Sequence, residues 1–339
     1  MSKIRTAILG MGRMGKIRYD SLIKHGSFEI VGLCDTSLDN MNGYNEPKYE
    51  SWQECIDQAA PAAVFVCTYN AFISDIVCYA LEHGIHVFAE KPPGRNLSDT
   101  LRMKDALEKN NENKNLVLKF GFNHRFHNSV MEAKALIDSG LIGDIVCARG
   151  VYGKAGNPTF ATDWRNDLEI SGGGILLDQG IHMIDLLYYF MGEFTSVQSA
   201  IHHLVWKEMK TEDSAFAIME TAKGQVASLH SSAVQWKHKF NLDIICTNGY
   251  VTLDGFITST KSYGEETLSY YRKDLGGRTG KLGKPLEHVL CFDVDESWDF
   301  ELMDFYNALV CEKKLEQGTV EQATYVMGLI EKIYANVYK

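Results

Sequence analysis

The sequence has no apolar run approaching the roughly 20 residues of a membrane-spanning helix, which argues against an integral membrane protein. Its first ten residues, MSKIRTAILG, lack the apolar stretch and small-residue cleavage site of a secretory leader, so no signal peptide is expected. The eight cysteines (34, 55, 67, 78, 147, 246, 291, 311) show neither C-x-x-C nor regular spacing. Cys67 and Cys246 sit in strand-like apolar runs, so the set reads as buried thiols in a reducing cytoplasm. No Cys/His/Asp/Glu set has zinc-like spacing, and no metal is expected. Basic charge is in deficit: Lys+Arg number 34 against 44 Asp+Glu, a net −10. A nucleic-acid polymer or an anionic membrane is therefore not an expected partner. Internal repeats and low-complexity linkers are also absent. What is there suits a globular protein: 339 residues, 45% hydrophobic and 23% charged, enough for two domains at about 150 residues each.

Up to residue 122, short apolar runs alternate with helix-like stretches. Strands are expected at 4–9, 29–34, 63–67, 86–89 and 116–121, and helices at 13–25, 51–59, 70–83 and 98–112. Ser51 with Glu54 has the form of a capping box, and Gly84 that of a helix stop. This alternation predicts an α/β, doubly wound parallel sheet over 1–122. From 123 to 339 the texture changes to an α+β domain with an open antiparallel sheet. A helix at 127–139, a strand at 144–153 and a polar loop with Gly156, Pro158 and Trp164 lead to the glycine run 172–174. A long apolar helix then runs to Met191. Strands follow near 196–206, 213–222, 225–235, 239–247 and 249–253, with turns at Lys223-Gly224 and Asn248-Gly249. Residues 258–295 are polar and loop-rich, and helices at about 296–312 and 319–337 close the chain.

Three local patterns carry chemistry. Gly10-Met11-Gly12-Arg13-Met14-Gly15 fits G-x-G-x-x-G between an expected strand and helix, and Asp35 ends the second strand 20 residues after Gly15. In that setting the glycines admit a pyrophosphate to backbone amides, and the aspartate accepts from ribose hydroxyls. Asp35 repels a 2′-phosphate and Thr36-Ser37 offer no cation, so NAD is expected ahead of NADP. The second pattern is Glu90-Lys91-Pro92 after the fifth strand. Lys91 there falls at the carboxyl edge of the sheet, where an ammonium can stabilise an alkoxide; a solvated lysine beside a turn is the plain alternative. The third is Asp178 four residues before His182 on an apolar helix, which suits a general base supported by a carboxylate, or a satisfied core histidine.

Taken in order, these patterns resemble the Gfo/Idh/MocA family of glucose–fructose oxidoreductase, inositol dehydrogenase and rhizopine-catabolism dehydrogenases. Gly121-Phe122-Asn123-His124-Arg125-Phe126 and Asp163-Trp164-Arg165 match that family as well. The resemblance implies a Rossmann domain followed by a domain whose open sheet commonly makes a homodimer or homotetramer. It also implies NAD-dependent hydride transfer at a secondary alcohol of a sugar, polyol or nucleotide-linked sugar. A glycoside hydrolase using NAD transiently, or a dinucleotide-binding sensor, are the other readings. Lys91, Asp178 and His182 are the implied catalytic group. Thr68, Asn70, Glu90, Lys91, Asn123, Trp164 and Arg165 are implied near the cofactor. Lys91, His124, Arg125, Trp164, Arg165, His182 and Trp236 are candidate substrate contacts. Tyr69 and Ile73 depart from the family's usual Pro and His, which puts the pocket shape near the cofactor in question.

Overall fold

The computed structural model describes residues 3–111, 115–156, 159, 162–258, 260–273, 286–311 and 313–336; Pro158 and the expected helix ends at 112 and 337 lie outside them. In chain order the elements are β1 (Ile4–Leu9), α1 (Arg13–His25), β2 (Phe28–Cys34), β3 (Lys48–Tyr49), α2 (Trp52–Ala59), β4 (Ala63–Val66), α3 (Asn70–Glu82), β5 (His86–Glu90), α4 (Leu97–Asn110) and β6 (Leu118–Gly121). There follow α5 (Asn128–Asp138), β7 (Ile145–Gly153), α6 (Leu168–Ser171), a π-helical turn (Leu176–Gly180), α7 (Ile181–Met191), β8 (Phe194–His202), β9 (Ser214–Thr221) and β10 (Val226–Ser232). The chain ends with β11 (Lys239–Cys246), β12 (Gly249–Asp254), β13 (Glu266–Arg272), β14 (His288–Phe292), α8 (Ser297–Val310) and α9 (Val320–Ala335). Among the described residues no helix is long and apolar enough to cross a membrane.

The chain divides into two units. The first takes the residues through Asn123 together with Glu169–Gly172 and Trp298–Gly328. Its six strands are parallel throughout, in the order β3-β2-β1-β4-β5-β6, which is the doubly wound dinucleotide-binding order. β4 and β6 are buried at every position, as strands covered on both faces must be. A single boundary near 122 misses the return of α8, which belongs to this unit because its apolar face completes the core. Phe305 stands edge-on to the stacked pair Phe65 and Phe88, at 5.6 and 5.5 Å, and Leu302 joins the same cluster. Lys119, fully buried on β6, is satisfied by Asp304 of α8 at 2.7 Å and the Gln317 carbonyl at 2.8 Å.

The second unit is built on eight strands in the order β14-β13-β12-β11-β7-β10-β9-β8, antiparallel except for β7 beside β10. Burial alternates along β9 and β11, so one face packs inward and the other is open. Two expectations shift. The strand read through 206 stops at His202, because the amides of Leu204, Val205 and Trp206 all donate to the Asp213 carboxylate at 2.8–2.9 Å. The β11–β12 hairpin turns at Thr247-Asn248, with Gly249 already paired to Cys246. The polar, loop-rich stretch 258–295 also contains two strands that were not assigned there, β13 and β14. All eight cysteines are free thiols, but Cys291 and Cys311 are exposed, unlike the buried set expected.

Candidate active-site residues in the two units

In the first unit, residues 10–15 join β1 to α1. Gly10 has φ +97°, and a Cβ there would lie 2.5 Å from the Cys67 carbonyl oxygen; a Cβ on Gly15 would lie 2.0 Å from the Gly10 oxygen. These two glycines let the turn close and let α1 pack against the strand. Gly12 is different: nothing stands within 4 Å of its Cβ position, and it caps α1 without any side-chain bond to the first turn. Amides of a helix's first turn lack intrahelical acceptors and favour an anion. Asp35 is pinned beside this loop, accepting from the Met11 amide at 2.8 Å, the Ser37 amide at 2.9 Å and the Asn40 side chain at 3.0 Å. The Met11 amide therefore serves Asp35, and its side chain is core; Gly12 and Met14 are half-buried and Arg13 is exposed. This cradle fits a dinucleotide: an open approach, a helix N-terminus, and a fixed carboxylate for ribose hydroxyls.

Lys91 follows β5, half-buried, and its bond to Pro92 is cis. The Glu90 carboxylate turns inward. It takes the Arg18 guanidinium at 2.6 Å, and Arg18 in turn reaches Glu301 at 2.6 Å. A fully buried guanidinium over the Phe88 ring demands such carboxylates, which is why Glu90 turns inward. Burial pushes the Glu301 carboxyl up to about 6, against the opposing pull of Arg18 and Lys119. Thr68 is half-buried after β4; Asn70, at the start of α3, is buried and donates to the Ser171 carbonyl at 2.7 Å. Of the two departures from the family pattern, Tyr69 is exposed and Ile73 is buried in the core. Asn123 is buried in a 3-10 turn, Asn123–Phe126.

In the second unit, the glycine run exists for close packing. A Cβ on Gly173 would meet the Tyr334 hydroxyl at 2.4 Å, and one on Gly174 the Glu212 backbone oxygen at 2.4 Å. Glu212, buried, accepts from the amides of Gly174 and Leu176 and from Tyr334, each at 2.9 Å, and so fixes the entry to the π turn. Burial pushes its carboxyl up, with these donors pulling the other way. Asp178 lies within that π turn, so it and His182 are not on one regular α-helical face as expected. Its carboxylate binds Lys154 at 2.5 Å and Arg165 Nε at 3.2 Å. Asp163 accepts from the Arg165 amide at 3.0 Å, and the Arg165 guanidinium lies 4.5 Å from the Trp164 ring centre. Lys154, Arg165, Asp178, Thr211 and Glu212 border a cavity of about 20 Å³, far below the few hundred Å³ that hold a sugar-sized ligand.

His182 is buried on α7, and its ring stacks on His124 with centroids 3.7 Å apart. His124 Nε2 lies 2.8 Å from the Tyr152 hydroxyl. His124 and Arg125 were expected to touch substrate, yet both are buried. Arg125 is held by Asp185 through two bonds of 2.8 and 2.6 Å, which makes it a structural pair and explains the charge on an otherwise apolar helix. Trp236 is 69% exposed after β10, its ring 6.1 Å from Trp206. Sequence reasoning missed Lys154, Tyr152, Glu212 and the Arg18–Glu301 pair. Only Lys154 had a local signal, a cation one residue past the end of β7.

Comparison with known proteins agrees with both units. Residues 4–116 match the oxidoreductase family with an NAD-binding Rossmann fold, and residues 130–252 match the GFO/IDH/MocA C-terminal domain. D-glucoside 3-dehydrogenase of Escherichia coli is 28% identical over 254 residues, covering 68% of this chain and 70% of that protein. Levoglucosan dehydrogenase of Pseudarthrobacter phenanthrenivorans is 33% identical over 158 residues, covering 46% of this chain but only 40% of the relative. A solved levoglucosan dehydrogenase in complex with NADH and levoglucosan superposes with a TM-score of 0.84 at 21% identity, covering 99% of this chain and 97% of that one, a likeness of fold. With a phosphate loop that fits NAD and both domains matched in order, the chain belongs to the Gfo/Idh/MocA family of NAD-dependent oxidoreductases.

Proposed function

We propose that this protein is an NAD-dependent dehydrogenase acting on a secondary alcohol of a sugar, polyol or nucleotide-linked sugar, or running the reverse reduction. The carrying observation is that one chain joins a dinucleotide cradle with a pinned Asp35 to a buried His182 on the helix entered through Asp178. Similarity to dehydrogenases of glucosides and levoglucosan supports the substrate class. Gly12, Arg13, Met14 and Asp35 hold the dinucleotide, and Asp35 favours NAD over NADP. The nicotinamide, when bound, supplies the hydride acceptor. His182 accepts the hydroxyl proton at an imidazole nitrogen. Asp178, held by Lys154 and Arg165, fixes the turn leading into α7 and so the helix that carries His182. The Lys91 ammonium stabilises the forming oxyanion. Thr68, Asn70, Asn123 and Trp164 are assigned to shaping the pocket.

Self-association is part of the same reading. On the open face of the second sheet, Phe216, Ile218 and Val226 are 40%, 59% and 40% exposed on adjacent strands, a patch that a second copy would cover. Sedimentation of the purified chain and of Ile218→Glu is expected to show an oligomer in the first and a smaller species in the second.

The activity is tested by incubating the protein with NAD and free sugars, polyols, and UDP-, GDP- and CMP-sugars while following NADH absorbance. Net NADH with at least one of them is expected. Release of a free sugar with no net NADH would replace the dehydrogenase by a hydrolase, and dinucleotide binding without turnover on any compound would favour a sensor.

A further inference from the structure

We propose that His124 is a positioning residue for His182: its ring is the platform that fixes the plane of the His182 imidazole, and the stacked pair takes one proton and not two. The inference rests on the role given to His182 above, but the arrangement stands on its own geometry. The two rings are nearly parallel, 13° apart, with centroids separated by 3.7 Å. His124 has no freedom to leave. Phe256 meets it edge-on at 4.8 Å and 89°, the His127 ring lies 5.5 Å away, and the Tyr152 hydroxyl is 2.8 Å from Nε2. Tyr152 is itself wedged between Phe240 and Tyr263, each with ring centres 5.4 Å away. A ring clamped on these sides is well placed to hold another ring.

Two imidazolium rings at this separation repel, so the pair takes a second proton less readily than the first. The charged side chains around the pair are partnered: Glu266 of β13 by the His127 ring at 2.8 Å, Arg125 by Asp185 of α7, and Asp178 by both Lys154 and Arg165. Burial, then Tyr263, pushes the Tyr152 phenol well above the usual range, so it stays a neutral hydroxyl against Nε2, able to donate or to accept, and holds the His124 ring in place.

The test uses the full chain with His124→Phe, which keeps a flat ring but cannot titrate, and His124→Ala, which removes the platform. Loss of positioning is expected to lower kcat by about tenfold or more in His124→Ala, with KM and NAD affinity unchanged, while His124→Phe stays within about threefold. Histidine-labelled NMR between about pH 5 and 8 needs no substrate, and should show one protonation for the wild-type pair and a His182 that still titrates in His124→Phe. A rise in KM with unchanged kcat in both variants would make His124 a substrate contact and overturn the proposal, as would two protonations of the pair in that range. If no substrate is turned over, the dehydrogenase reading fails, and the NMR titration still decides between one proton and two.

Discussion

Two glycines of the phosphate loop, three residues apart, should respond to the same substitution in opposite ways. At Gly12 the backbone has φ −67° and ψ −161°, which an alanine adopts, and its Cβ would meet nothing within 4 Å. Alanine there stiffens the unfolded chain, worth about 0.4–1 kcal/mol, and is a poorer N-cap by a similar amount. The two nearly cancel, so Gly12→Ala should leave Tm within about 2 °C of wild type. Its methyl, however, stands at the open approach to the α1 amides, and NAD should bind at least about tenfold more weakly, a loss of about 1.4 kcal/mol. At Gly15 the methyl lies 2.0 Å from the Gly10 oxygen, a backbone atom that cannot swing away. Overpacking of that kind costs about 1–3 kcal/mol or more, so Gly15→Ala should lower Tm by several degrees before any ligand is added. Thermal unfolding with and without NAD, paired with calorimetric titration, separates the two. Wild-type NAD affinity in Gly12→Ala would refute the assignment of this loop to the pyrophosphate.

NAD should bind at least about tenfold tighter than NADP, because Asp35 is pinned by the Met11 and Ser37 amides and cannot turn away from a 2′-phosphate; equal or reversed affinities in a titration would count against that role. Glu301 gives a pH signature. Its carboxyl is raised to about 6 from an ordinary 4.5, so its contribution to stability is fully present below about pH 4.5 and is lost as pH rises through 6. Urea unfolding at about pH 4.5 and 7 should therefore show wild type losing up to about 2 kcal/mol more than Glu301→Gln over that interval, and parallel curves would contradict the buried triad with Arg18 and Glu90.

The first unit was largely legible because its determinants are local. Continuous apolar runs mark β1, β4 and β5, and the glycine spacing fixes the loop that follows β1. The alternation of β9 and β11 is equally visible, since each strand has one buried and one open face. Other features depend on partners distant in sequence. Nothing near Glu90 announces that Arg18 and Glu301 will draw it inward, and nothing near Gly174 announces Glu212. β14 was missed because its residues, His288 to Phe292, are mostly exposed and carry no burial alternation to read. Asp178 and His182 were placed on one helical face by their spacing, but that inference assumes 3.6 residues per turn, and the π turn breaks it. The same spacing logic was silent on Lys154, which reaches Asp178 from the end of another element.

The proposed dehydrogenase turns on Lys91 acting in hydride transfer at an alcohol and not in holding the dinucleotide. It is tested most directly by Lys91→Met, assayed with the best substrate from the sugar screen alongside a titration with NAD. Turnover should fall by about two orders of magnitude or more while the NAD dissociation constant stays within about twofold. Unchanged turnover would remove Lys91 from the mechanism, and a parallel loss of NAD binding would make it a cofactor-binding residue only.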